Sequence, residues 1–97
     1  MKSLRIIGLM SGTSLDGLDI ADVEFFQSKN ESWSFKLIQS ETVDYTAEFK
    51  EKLRKAPFLT GEDLGILSVE LGRYYGSEVL NFIEKYDVDK ALISAVA

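Results

Sequence analysis

The residues with chemical potential are concentrated near the amino end, where Gly8 to Asp19 reads GLMSGTSLDGLD. Gly8, Gly12 and Gly17 let backbone N–H groups come close to an anion and make left-handed backbone accessible. Ser11, Thr13 and Ser14 add hydroxyl donors beside them. Asp16 and Asp19 look misplaced for anion binding, since like unit charges about 4 Å apart cost roughly 4 kcal/mol at an effective dielectric near 20. A divalent cation between them and a phosphate reverses that sign. Mg²⁺ takes one or two carboxylates together with waters and substrate phosphates. Asp16 or Asp19 is therefore a candidate ligand for Mg²⁺ carried by a nucleotide.

Other loop chemistries fit less well. The glycine spacing is not G-x-G-x-x-G, and the G-K-[ST] ending of a P-loop is missing. The chain has no histidine, so a Ser-His-Asp triad cannot form within it. An Asp-rich calcium loop needs a spacing that DGLD lacks. With no cysteine there is neither a disulfide framework nor thiolate chemistry. Any catalysis here must use carboxylates, hydroxyls, backbone and bound cations. Judged by composition alone, a long polar hairpin that binds nothing accounts for the stretch equally well.

The bulk numbers narrow the classes further. Ninety-seven residues make one domain or part of one, and a hydrophobic share of 45% is ordinary for a soluble globular protein. A net charge of −5 supplies no basic patch for nucleic acid or an anionic membrane. The apolar run IIGLM is too short for a signal peptide, and no segment approaches the roughly 20 apolar residues of a membrane span. A cytoplasmic protein is expected.

The elements that must position the loop follow from periodicity. Leu4 to Met10 is nearly all apolar, as for a strand buried on both faces. Asp19 to Phe26 predicts a second strand, Gln27 to Ser32 a turn, and Trp33 to Val43 a third strand. Tyr45, Phe49 and Leu53 then fall at helical spacing, predicting a helix over Thr46 to Lys55 that Pro57 ends. Thr60 and Asp63 mark the start of a longer helix reaching about Tyr86. ALISAVA reads as a fourth strand, apolar on both sides, returning parallel to a neighbour through the helical crossover. The expected fold is α/β: a mixed sheet of three antiparallel strands plus a fourth parallel strand, with two helices. A strand of that apolar character belongs inside a sheet, which points to the front piece of a longer protein; an edge strand covered by a partner is the alternative.

GLMSGTSLDGLD followed by IADVEFF closely resembles the amino-terminal signature of the anhydro-N-acetylmuramic acid kinases. These belong to the sugar-kinase, actin and heat-shock-chaperone superfamily with ribonuclease H-like lobes. The resemblance implies that residues 1–97 are the N-terminal part of the first actin-like ATPase lobe. It implies that the hairpin contacts the phosphates of ATP, with Gly12, Thr13, Ser14, Asp16, Gly17 and Asp19 lining the ATP and Mg²⁺ site and Asp16 and Asp19 on the metal. The implied reaction is ATP-dependent phosphorylation of 1,6-anhydro-N-acetylmuramic acid, with hydrolytic opening of the anhydro ring, to give N-acetylmuramic acid 6-phosphate in cell-wall recycling. The general-base aspartate is expected beyond Ala97, so no catalytic residue is assigned here and the segment alone is expected to be inactive. A homodimer is compatible with this reading. The family also implies a polar stretch with His and Gly after the fourth strand, where this chain has SAVA. The competing class is a non-catalytic, actin-like nucleotide-binding switch.

Other residues carry plainer expectations. Asp22 and Glu24 share one face of a strand and are read as solvent-facing. Trp33 is expected to pack across strands on Phe25 or Phe26. Tyr74 and Tyr75 are expected in the core beside a solvated Arg73, and Asp87 and Asp89 in a turn. Glu48–Lys52 and Glu51–Lys55 are expected as pairs on a solvated helix face.

Overall fold

Apolar and β-branched runs carry the chain through three long strands, β1 (Lys2–Ser11), β2 (Gly17–Gln27) and β3 (Trp33–Asp44). The structure, a computed structural model, describes residues 2–12 and 16–97. β1 and β2 pair antiparallel from Lys2 opposite Gln27 to Ser11 opposite Leu18. β2 and β3 pair antiparallel from Gly17 opposite Asp44 to Gln27 opposite Trp33. Their register shifts once: Asp22 faces Gln39 while Val23 faces Leu37, leaving Ile38 as the extra residue of a bulge.

Two threonines start the helices. The Thr46 hydroxyl accepts from the Phe49 N–H at 3.1 Å and caps α1 (Ala47–Lys55). The Thr60 hydroxyl accepts from the Asp63 N–H at 3.2 Å and caps α2 (Gly61–Lys85). Each satisfies an N–H that the first helical turn leaves without a partner. Pro57 sits in a one-turn 3-10 helix, Ala56–Phe58, that separates the two. At 1.5 Å per residue α2 runs about 37 Å, long enough to cross the sheet and return the chain to β4 (Ala95–Val96). β4 lies parallel to β1, and the order is β3-β2-β1-β4. The mixed α/β sheet expected from the periodicity is the one observed among the described residues.

Two expectations need correction. The seven-residue fourth strand is reduced to a short edge, because the Asp89 carboxylate accepts from the Ala91 N–H at 3.0 Å and winds Lys90–Leu92 into a 3-10 turn. Hydrogen bonds from Ser94 N–H to the Arg5 carbonyl and from Ala97 N–H to the Ile7 carbonyl then attach what remains to β1. β1 is also not buried on both faces. The core joins Ile7, Leu18 and Ile20 of the sheet to Tyr45, Val79, Phe82, Ile83 and Val88 on one side only. Leu4, Met10, Phe35 and Leu37, on the other face by strand alternation, are exposed. A strand turns alternate side chains to opposite faces, so helices on one side bury only half of them.

Among the described residues, no helix is long and apolar enough to cross a membrane.

Candidate functional site

The connection between β1 and β2 is the candidate site, and the structure describes both of its flanks: Ser11 and Gly12 on one side, Asp16 and Gly17 on the other. Thr13 and Ser14, expected to line the phosphate site, lie outside the described residues. Gly17 is needed for a reason its motif does not reveal. It stays out of the left-handed region, but a Cβ there would sit 2.6 Å from the Val43 carbonyl oxygen of β3. Backbone of one strand therefore fills the space a side chain would take. Gly17→Ala is expected to push Val43 and Asp44 away and to cost about 1–3 kcal/mol, the usual range for overpacking, as read by chemical unfolding.

The two aspartates leave the hairpin in different directions. Leu18 points into the core, so its neighbour Asp19 faces the opposite side of the sheet, where its carboxylate accepts from the Thr42 hydroxyl at 2.5 Å. That spot borders a shallow depression lined by Asp19, Ile20, Ala21, Ser40, Glu41 and Thr42. The Asp16 carboxylate lies 3.6 Å from the Lys50 ammonium of α1 and is 76% exposed. At that exposure the pair contributes little to stability, and the carboxylate remains accessible. Among the described residues no three acidic groups converge as a ready-made metal cage. The donors at hand are carboxylate, hydroxyl and carbonyl oxygens, the set that Mg²⁺ accepts when waters and phosphates complete its shell.

Sequence reasoning missed Tyr45 at this site, treating it only as the first apolar residue of the α1 stripe. It is 5% exposed. Its N–H donates to the Asp16 carbonyl at 3.1 Å and its hydroxyl donates to Ser11 Oγ at 2.8 Å, so one residue touches both flanks of the loop. Burial is the main reason the Tyr45 hydroxyl is pushed up to about 12, with the nearby Tyr75 hydroxyl adding to the rise and the Ser11 bond opposing it. The hydroxyl stays protonated, and so a donor, at physiological pH. Lys50, read only as part of a solvated face, is the second residue whose role depends on where α1 lands.

Asp22 and Glu24 are the clearest correction. Asp22 is 0% exposed and bonded on both oxygens: Arg5 Nε and Nη2 each donate at 2.7 Å and Gln39 Nε2 at 3.1 Å. Arg5 stands opposite Glu24, so Asp22 is its diagonal neighbour one pleat along the same face. Glu24 is only half-buried, and the two acids do not form a paired-carboxylate site. The hydrogen bond with Asp22 is the chief reason the Arg5 guanidinium binds its proton more tightly than usual. Among the described residues no buried side-chain polar atom lacks a partner.

The remaining expectations divide. Trp33 stands opposite Gln27, and the cross-strand aromatic pair is instead Phe25 with Phe35, centroids 6.3 Å apart. Tyr74 and Tyr75 do pack against the core, and Arg73 is exposed. Glu51 meets Lys55 at 3.9 Å as expected, whereas Lys52 reaches across to Glu70 of α2 at 3.2 Å.

Comparison with known proteins matches residues 4–97 to the family model for anhydro-N-acetylmuramic acid kinase. A kinase of that name from Pseudoalteromonas atlantica is 34% identical over 99 residues, covering 99% of this chain and 24% of the relative. One from Sulfurimonas denitrificans is 33% identical over 92 residues, covering 93% of this chain and 24% of the relative. Another from Coxiella burnetii is 36% identical over 101 residues, covering 99% and 25%. The chain thus spans about a quarter of the length of these curated relatives.

Proposed function

We propose a function for these residues from one premise: the chain belongs to the anhydro-N-acetylmuramic acid kinase family. It is the N-terminal part of the first nucleotide-binding lobe of a longer cytoplasmic kinase. That enzyme transfers the terminal phosphoryl group of ATP to O6 of 1,6-anhydro-N-acetylmuramic acid. Water adds at C1 as the C1–O6 bridge opens, and the product is N-acetylmuramic acid 6-phosphate. The observation that carries the reading is the Gly8–Asp19 stretch joining the first two strands of a β-β-β-α-α-β lobe.

Within that reading each residue has a task. Gly12 offers backbone N–H to phosphate oxygens at close range, and Thr13 and Ser14 add hydroxyl donors. Gly17 lets the returning strand lie tight against β3, which holds the loop's far end in place. Asp16 and Asp19 are the carboxylates that would hold Mg²⁺, directly or through its waters. Mg²⁺ supplies charge neutralisation for the phosphoryl oxygens during transfer. No base for the attacking water is assigned among these residues, and a lobe without its closing counterpart leaves the nucleotide open to solvent. The isolated segment is accordingly inactive.

The test assays the full-length protein carrying this chain for ADP release with Mg²⁺–ATP and the anhydrosugar. The expected result is release that depends on the sugar, with Asp16→Asn and Asp19→Asn raising the KM for Mg²⁺–ATP about 10–100-fold, the range typical of perturbed metal sites. ATP binding without sugar-dependent turnover would instead identify a nucleotide switch.

A further inference from the structure

We propose that Tyr45 is a positioning residue for nucleotide binding, fixing the two flanks of the β1–β2 loop through Ser11 Oγ and the Asp16 carbonyl. The proposal rests on the phosphate-binding reading of that loop. Three features support it. Tyr45 spends both of its hydrogen-bond donors, one from backbone and one from side chain, on opposite ends of a single connection. Its ring cannot easily swing away: Phe49 stacks on it at 5.6 Å and 16°, and Tyr74 meets it edge-on at 5.5 Å. The Tyr75 hydroxyl of α2, 3.4 Å from its own, places a second helix behind the contact.

This construction transmits the position of the helix layer to the loop. Holding Ser11 and Asp16 in place beforehand lowers the ordering cost that a ligand between them would otherwise meet. The Ser11 hydroxyl, accepting from Tyr45, is left with its own hydrogen to donate. Small misplacement at a phosphoryl-transfer site is costly, because a displacement of about 1 Å can lower rates by roughly a hundredfold. The Tyr45 N–H survives any side-chain change, so Tyr45→Phe cuts the Ser11 tie, together with the longer contact to the Tyr75 hydroxyl, and keeps the ring packing.

The experiment compares Tyr45→Phe, Ser11→Ala, the double variant and Ser11→Thr in the full-length protein, with Asp16→Asn alongside. Both single variants are expected to lower kcat/KM for Mg²⁺–ATP about 5–20-fold while the KM for the anhydrosugar stays unchanged. The double variant is expected to be no worse than the poorer single one, and Ser11→Thr, which keeps the hydroxyl, to retain near-normal values. A purely structural tie would lower the melting temperature and leave the nucleotide parameters alone, which overturns the proposal. Additive losses, or equal losses for both substrates, overturn it too. If Asp16→Asn weakens nucleotide use and Tyr45→Phe does not, the tie falls and the phosphate-loop reading stands. If neither does, both fall.

Discussion

Asp22→Ala is expected to destabilise the protein by about 3–5 kcal/mol in urea or thermal unfolding, the usual cost of breaking a buried ion pair by removing one partner. Asp22 is fully buried, and Arg5, 18% exposed, is bound to it by two parallel N–H···O bonds. Removing the carboxylate takes both hydrogen bonds from a largely buried guanidinium, and the Gln39 amide loses its partner as well. The cost comes from the charge left behind more than from the pair's own net worth. A second variant separates the two. Arg5→Met with Asp22→Leu removes both charges and keeps apolar volume on the core face, so it is expected to recover most of the loss. A stability for Asp22→Ala within about 0.5 kcal/mol of the parent, as for an ordinary surface change, would show that the pair is solvated in solution.

Phe82→Ala is expected to cost a comparable amount, about 3–5 kcal/mol, through lost burial and the cavity left behind. Phe82 is 2% exposed and sits where α2 crosses the sheet, in one cluster with Ile7, Leu18, Ile20, Val79 and Ile83 and with the Tyr86 ring 4.8 Å away. No neighbour can collapse into the gap without dragging a helix or a strand with it, because interiors are packed near crystal density. The same helix supplies the control. Ile66, near its other end, is half-exposed, and Ile66→Ala is expected to stay within about 0.5 kcal/mol of the parent. Equal losses at the two positions would mean that Ile66 is buried in solution, contrary to its observed exposure.

Much of the architecture could be read from short-range signals. Thr46, Pro57 and Thr60 punctuate the helices through contacts made within three residues of themselves. Tyr45, Phe49 and Leu53 show the change from strand to helix by spacing alone. The crossover through α2 sends the chain back parallel to β1 because such connections rarely return it otherwise. The candidate loop stood out too, since glycines, hydroxyls and aspartates are gathered there, a composition read either as a phosphate and cation site or as a plain polar turn.

What escaped was set by residues distant in sequence. Asp22 looks like any polar residue of an alternating strand until Arg5, 17 positions earlier, is laid diagonally across from it on the helix-covered face. The fourth strand looked long because ALISAVA is apolar except for Ser94; a single cap at Asp89 spends its first residues on a turn. Gly17 carries no mark of its neighbour Val43, and Tyr45 none of Ser11 or Asp16.

The amino-acid sequence by itself determined the order of elements, their caps, and a hairpin that gathers glycine, hydroxyl and carboxylate groups, because each depends on neighbours within a turn or a pleat. Only the tertiary structure decided which face of the sheet is dry, that Asp22 is buried against Arg5, that Asp16 and Asp19 diverge, and that Tyr45 holds both flanks of the loop. Those outcomes depend on where two helices settle on a twisted sheet, and that choice comes from packing summed over the whole chain.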